Sequence, residues 1–494
     1  MSIDLDHARR LRTASTGSVL PILLLTAFSA VLALWSAASP PAFSPDAANY
    51  LHAGHSWSIG QVDTVAYKIG SRIYVVLAYY LPQLVFGVTI DTITITLAGF
   101  ALLTFFTISA WCYATLERPG AFWVSLALIL VAAVWIEWDR PLTENIFTPL
   151  ALASLGMFDV AQRRETGGQA VAWMLAASAC CGLTFGVRPE SLFLFCGMLA
   201  ATGLSYRHKR FSRSGASALV AGMITVYAAT CIIPPVVFKG FTGKELPYQI
   251  KEYFLFYRPV AFFGDAAFGP ASRELAGKVQ ADRLGTLPKE EVMVSGIGQS
   301  IVIDGPEYAS KLYGRVGIET LKAVPMEVTQ DVAASLLRYL FSPSTRFKVG
   351  DGKTYDQRMQ DAKKWLIERD HRRERRAYFE GPNPFNLTTF TDNRLSLSPV
   401  IDAFGRLPPI KFSPPPAGVT LFFCVVTVLA WRWGKLRSPY TASILFFGMS
   451  IALAAFSQGF IMRYWQSASL LAVIAATMLI AQHMSKKRLK VDQA

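Results

Sequence analysis

Residues 91–136 read DTITITLAGFALLTFFTISAWCYATLERPGAFWVSLALILVAAVWI, two apolar runs (91–114 and 119–136) parted by a short break that carries Glu117 and Arg118. A bilayer core about 30 Å thick takes roughly 20 apolar residues in helical form, and each run meets that length. The same unit recurs on both sides. Apolar blocks fall at 19–38, 70–88, 143–161, 169–187, 189–205, 214–238, 416–433, 439–457 and 460–482, separated by short basic punctuation. The whole chain has 494 residues, 52% hydrophobic and 17% charged, against roughly 25% charged in a soluble domain. This composition excludes intrinsic disorder and argues against a soluble enzyme. The expected fold class is an all-α polytopic membrane protein.

Lys and Arg exceed Asp and Glu by 48 to 34. In a soluble chain that excess would suggest nucleic acid; here many of the cations lie between apolar blocks, where they set topology. With every block spanning, the basic linkers would alternate sides. Block 70–88 is the one to leave out: it is Tyr-rich, interrupted by Pro82 and Gly87, and suits an interfacial or re-entrant segment. About ten spans remain. Arg9/Arg10/Arg12, Arg118, Arg163/Arg164, Arg207/Lys209/Arg210/Arg213, Arg432/Lys435/Arg437 and Lys486/Lys487/Arg488/Lys490 then share one face, taken as cytoplasmic with both termini. The N-terminal apolar run is too long for a signal-peptide core and reads as a retained helix.

Three regions follow: an N-terminal transmembrane module, 1–238, with a first outer loop at 39–90; an extracytoplasmic domain of mixed charge and helical character, 239–414; and C-terminal transmembrane helices, 415–494. All six cysteines (112, 180, 181, 196, 231 and 424) lie in or beside apolar blocks, which speaks against a disulfide framework or a zinc site. The run KKWLIERDHRRERRAYFE in the outer domain reads as a solvated helix face, with contact to anionic lipid as the alternative.

Ionisable residues collect on the outer face. Asp46 stands just beyond the first helix in PDAANYLHAGHSW; a carboxylate beside the bilayer is costly unless used or paired, so it is a catalytic candidate, with helix capping as the plain alternative. His52 and His55 lie one helical turn apart in the same loop and, with Asp46, are the candidate metal ligands. Glu137, Asp139 and Glu144 surround the turn before block 143–161, as second acids or as a capped helix start at Thr143. Arg188-Pro189-Glu190 forms a turn between two blocks, Arg463 and Tyr464 open the last one, and Lys68 and Arg72 sit in the first loop. Basic groups converging on one face suit a phosphate; each alone is equally explained by snorkelling.

In their order these parts resemble the GT-C superfamily of integral-membrane glycosyltransferases. The matching features are an acid after the first helix (Asp46), an amphipathic outer segment, a helix pair whose outer turn ends in TEN (Glu144), an RPE turn (Arg188 to Glu190), and RYW at the outer start of a late helix (Arg463, Tyr464). The resemblance covers roughly 15–240 and 415–482. Two features depart from it: Asp46 is followed by Ala47 rather than a second acid, and 239–414 matches no known module.

The resemblance implies a polyprenyl-phosphate sugar as donor and a glycan, lipid or protein as acceptor, with the chain in the plasma (inner) membrane and its active site on the extracytoplasmic, periplasmic side. Asp46 would be general base in an inverting transfer. Arg188, Arg463, Lys68 and Arg72 would meet the donor phosphate. The resemblance fixes no cofactor and leaves a divalent cation open. The partners expected are donor, acceptor and membrane lipids, and no nucleic acid. A transporter or flippase, and an oligosaccharide ligase or polymerase, are the alternatives. Transporters tend to show internal repeats and midplane charges, and the sequence has no repeat between its halves.

Overall fold

In the computed structural model of the chain, the described residues are 3–41, 45–60, 62, 66–87, 89–164, 167–206, 213–260, 262, 269–278, 304–344, 346–349, 353–354, 356–358, 360–361, 397–408, 410–436, 438–457 and 462–492. Helices cover each apolar block. In chain order they begin with α1 (Ile3–Ala37), α2 (Pro45–Ser58), α3 (Ala66–Ile69), α4 (Ile73–Phe86), α5 (Ile90–Thr115), α6 (Arg118–Trp135) and α7 (Thr143–Arg163). There follow α8 (Gly167–Phe185), α9 (Ser191–Tyr206) and α10 (Arg213–Thr242). The polar region contributes α11 (Lys251–Leu255), α12 (Tyr257–Val260), α13 (Pro270–Lys278), α14 (Pro306–Ala323), α15 (Pro325–Phe341), strand β1 (Arg346–Val349), α16 (Ser398–Gly405) and strand β2 (Ile410–Ser413). The chain ends with α17 (Pro416–Arg432), α18 (Pro439–Ser457) and α19 (Met462–Asp492).

Seven helical stretches among the described residues are long and apolar enough to cross a membrane: Val19–Ala37, Ile90–Thr115, Arg118–Trp135, Gly167–Phe185, Gly215–Thr242, Pro439–Ser457 and Trp465–Ser485. Ser191–Leu204 and Pro416–Arg432 are apolar but shorter. The α7 helix begins with the polar TEN sequence and carries Asp159 near its other end. The protein is a polytopic membrane protein of the all-α class, with one short two-stranded ladder among its described residues.

The fourteen residues of α4 rise about 21 Å at 1.5 Å each, short of a bilayer core. This helix packs on α2 and α5. It buries Val75, Val76, Tyr79 and Gln83 while leaving Leu81, Leu84, Val85 and Phe86 exposed.

Local chemistry sets the helix ends. Thr89 caps α5 by accepting from the Thr92 N–H at 3.0 Å. At the end of α17, Gly434 takes φ +64°, and Lys435 N–H donates back to the Ala430 carbonyl at 2.7 Å. That closure needs a left-handed residue, which glycine supplies without a Cβ penalty. A Cβ at Gly182 would stand 1.7 Å from Thr230 Oγ1, so its absence lets α8 and α10 meet.

One large core joins the apolar helices, and α19 is the most enclosed of the seven long apolar stretches. A second, smaller core gathers Ile250, Tyr253, Val260, Leu275, Leu312, Tyr313 and Val316 from α11 to α14. The antiparallel pair β1–β2 runs from Arg346 opposite Ser413 to Val349 opposite Ile410. The α10 helix continues to Thr242, past the region edge expected at 238.

Candidate functional site

The first loop supplies a helical platform. The helix α2 begins at Pro45, suited to a first turn because it lacks an N–H that would go unused there. Asp46 therefore lies in that first turn, four residues before Tyr50. Tyr50 is buried, and its hydroxyl accepts from Arg72 Nη1 at 2.7 Å. His55 Nε2 pairs with Gln83 Oε1 at 2.8 Å, and its ring meets Tyr80 edge-on at 5.0 Å. The α2 and α4 helices are thereby joined through His55, which uses one ring nitrogen on an amide.

Arg188 is the centre of the site. It is 5% exposed and is reached from three separate parts of the chain. Its Nη1 donates to Glu144 Oε1 and to Ser467 Oγ, both at 3.3 Å, and its Nη2 donates to Glu190 Oε1 at 3.2 Å. The guanidinium lies over the Phe147 ring, 5.3 Å from its centroid, a desolvated cation–π placement. Burial alone would raise the Glu190 carboxyl, but the charges of Arg188 and Arg72 outweigh it and hold the group below its ordinary value. Glu190 Oε2 is buried and accepts no hydrogen bond among the described residues. Tyr79, also buried, donates to the Leu142 carbonyl at 2.9 Å and fixes the turn that presents Glu144.

The three acids around the 137–144 turn separate. Glu137 pairs with Arg140 at 2.9 Å in a partly exposed contact. Asp139, buried, is held by Lys411 of β2 at 2.6 Å. Glu144 alone faces Arg188. The cap expected at Thr143 falls one residue earlier: Leu142 is the capping position, and Thr143 Oγ1 donates to Glu144 Oε2 at 3.1 Å.

Asp46, His52, Lys68, Arg463 and Tyr464 have helical backbones, in α2, α3 and α19, but their side chains lie outside the described residues. Among the described residues no group of three His, Cys, Asp or Glu side chains could hold a metal ion. The residues expected from the sequence that come together are Glu144, Arg188, Glu190 and, through its charge on Glu190, Arg72.

Sequence reading missed one member of the cluster, Ser467, and two buried acids outside it, Asp91 and Asp159. Ser467 lies one turn after Arg463, which was a signal available in the RYW stretch. Asp91, in the first turn of α5, accepts from Ser398 Oγ and is buried. Asp159 accepts from Trp111 Nε1 at 2.8 Å, Gln482 Nε2 at 2.6 Å and Arg163 Nε at 3.2 Å at the other end of α7.

No protein-family model matches the chain, and no curated protein matches it. Among solved structures, the chain is similar to the archaeal oligosaccharyltransferase AglB from Archaeoglobus fulgidus, determined in complex with an inhibitory peptide and a dolichol-phosphate. The TM-score is 0.41 and the identity 13%, over 93% of this chain and 50% of that one. The chain thus spans about half the length of that protein.

Proposed function

We propose that the protein is a GT-C-type membrane glycosyltransferase that moves a sugar from a polyprenyl-phosphate donor to an extracytoplasmic glycan, lipid or protein acceptor. One observation carries this reading. Tyr50 and Arg72, Glu144, Arg188 and Glu190, and Ser467 belong to segments spread over more than four hundred positions, and they form one polar cluster in which Tyr50, Glu144, Arg188 and Ser467 are buried and Arg72 and Glu190 half-buried. Those segments are the ones that the GT-C order of parts singles out. A purely structural bundle has little reason to gather two carboxylates and two guanidinium groups at one end, because each charge buried there costs desolvation.

In this reading Asp46 takes the proton of the acceptor hydroxyl as its oxygen attacks the anomeric carbon. The bond from that carbon to the phosphate oxygen breaks, and the lipid phosphate leaves with the electron pair. The product is inverted. Arg188, already matched by Glu144 and Glu190, serves as an organiser of the site, and the leaving phosphate is met by Arg72, Lys68 and Arg463. The regions 1–238, 239–414 and 415–494 act as catalytic module, outer domain and closing helices in the inner membrane.

Purified protein incubated with labelled polyprenyl-phosphate sugars of several kinds should transfer label from one of them to water-accessible acceptor. Asp46→Asn keeps the side-chain size and should lower turnover by about 10²–10⁴. Its thermal stability should change by no more than about 1 kcal/mol, the worth of an acid in a first helical turn. Near-normal turnover would reject Asp46 as the base, and Glu137, Asp139 and Glu144 would be tested next.

A further inference from the structure

The last helix, α19, is walled in by others along most of its length, burying small side chains such as Ser467, Ala468 and Ala472 between large ones such as Trp465, Leu471 and Met478. Apolar packing accepts repacked neighbours more readily than a paired polar group does, so polar contacts add to it a stricter definition of axial position. Two polar rungs join α19 to α7. At the site end, Glu144 and Ser467 share the Arg188 Nη1 donor. At the far end, Gln482 Nε2 donates to Asp159 Oδ2 at 2.6 Å. Ser467 is 323 positions after Glu144, and Gln482 is 323 positions after Asp159. The two helices therefore run parallel in a single register, tied at two levels 15 residues apart, about 22 Å.

The matched offset is what a register device requires. A slip of one residue along α19 moves it about 1.5 Å and turns it about 100°, which breaks both rungs at once. Single buried polar residues fix axial register in coiled coils in the same way. The Asp159 carboxylate is itself held by Trp111 of α5 and by Arg163, whose Nη1 also reaches the Thr115 carbonyl. The acceptor of the far rung is thus anchored before Gln482 docks on it.

We infer that Asp159 and Gln482 are positioning residues: they set the axial register of the last helix and through it the placement of its site end, where the RYW turn begins, against the Arg188 cluster. The consequence for donor binding rests on the glycosyltransferase reading; the register itself does not.

The test uses full-length protein in detergent or nanodiscs. Trp465, two residues before Ser467, stacks on Trp135 of α6 at 6.0 Å with an interplanar angle of 12°. That pair reports register without any substrate. Its near-ultraviolet circular-dichroism contribution is defined by the difference between the parent and Trp135→Phe. Gln482→Leu, which leaves Asp159 paired with Trp111 and Arg163, should lose this contribution and raise the donor KM by about 5- to 30-fold, with a smaller effect on kcat. Gln482→Asn should restore part of both.

Thr477→Val is the control. It removes a side-chain hydrogen bond made within α19 alone, to the Val473 carbonyl, and should retain the Trp signature and the parent KM. Retention of the signature in Gln482→Leu, or its equal loss in Thr477→Val, would overturn the register proposal. If the parent transfers sugar from none of the donors, the glycosyltransferase reading fails, and the Trp signature still decides the register.

Discussion

Arg188 sets one positive charge between two carboxylates in a place almost closed to water. Removing it would leave Glu144 and Glu190 facing each other without their direct cation, and breaking a buried pair in this way costs about 3–5 kcal/mol. Arg188→Gln should therefore show a markedly lower melting temperature in detergent, and adding Glu144→Gln should recover part of the loss. An unchanged melting temperature would place the guanidinium outside the network. Arg188→Lys should be intermediate, because one ammonium cannot reproduce the planar fork that reaches Glu144, Glu190 and Ser467 together. At this scale the sequence was legible where charge stood beside a turn: Glu144, Arg188 and Glu190 were marked by their position between apolar blocks. Asp159 was not, because a single acid followed by Arg163 and Arg164 reads as an ordinary helix end. Its decisive partner, Gln482, is an uncharged residue 323 positions away.

Among the elements, α13 shows how the polar region holds its short helices. Both oxygens of Glu319 on α14 accept at its start, from Ala271 N–H at 2.9 Å and Ser272 N–H at 2.8 Å, and Ser272 Oγ adds a third bond. Burial alone would raise this carboxyl, but the Ser272 and backbone donors overcome it and lower the group below the ordinary carboxylate value. A lowered carboxyl stabilises above its unfolded value and loses that contribution as the pH falls through its folded value. Glu319→Gln should thus cost about 1 kcal/mol near neutral pH, with the gap to the parent closing in acid below the ordinary glutamate range. Melting curves at several pH values would check this; a gap that widened in acid would contradict the capping role. The existence of such helices could be expected from amphipathic spacing in 306–341. Glu319 as the cap of another helix could not, since its partners lie 47 and 48 residues earlier.

For the molecule as a whole, the apolar blocks made the bundle legible: block 439–457 coincides with α18, and 416–433 exceeds α17 by one residue. How the acids of the 137–144 turn divide among partners was hidden, because Lys411, which takes Asp139, comes 272 residues later. Sidedness is open to a direct test. A maleimide that cannot cross membranes should label Gln360→Cys, an exposed position, in intact cells above the background of the parent's six cysteines. Labelling only after permeabilisation would reverse the proposed topology. The β1–β2 ladder bears on a different property, tolerance to changes of length. The chain leaves the ladder at Val349 and re-enters it at Ile410, directly opposite, so an insertion or excision between those points leaves the separation of its two ends unaltered. Closure entropy changes by only about 0.6 kcal/mol for each doubling of such an excursion. The ladder acts as a clasp on this stretch, and α16 returns from it to the bundle through Ser398 and Asp91, so a change of length is borne ahead of Ser398 and not within α16.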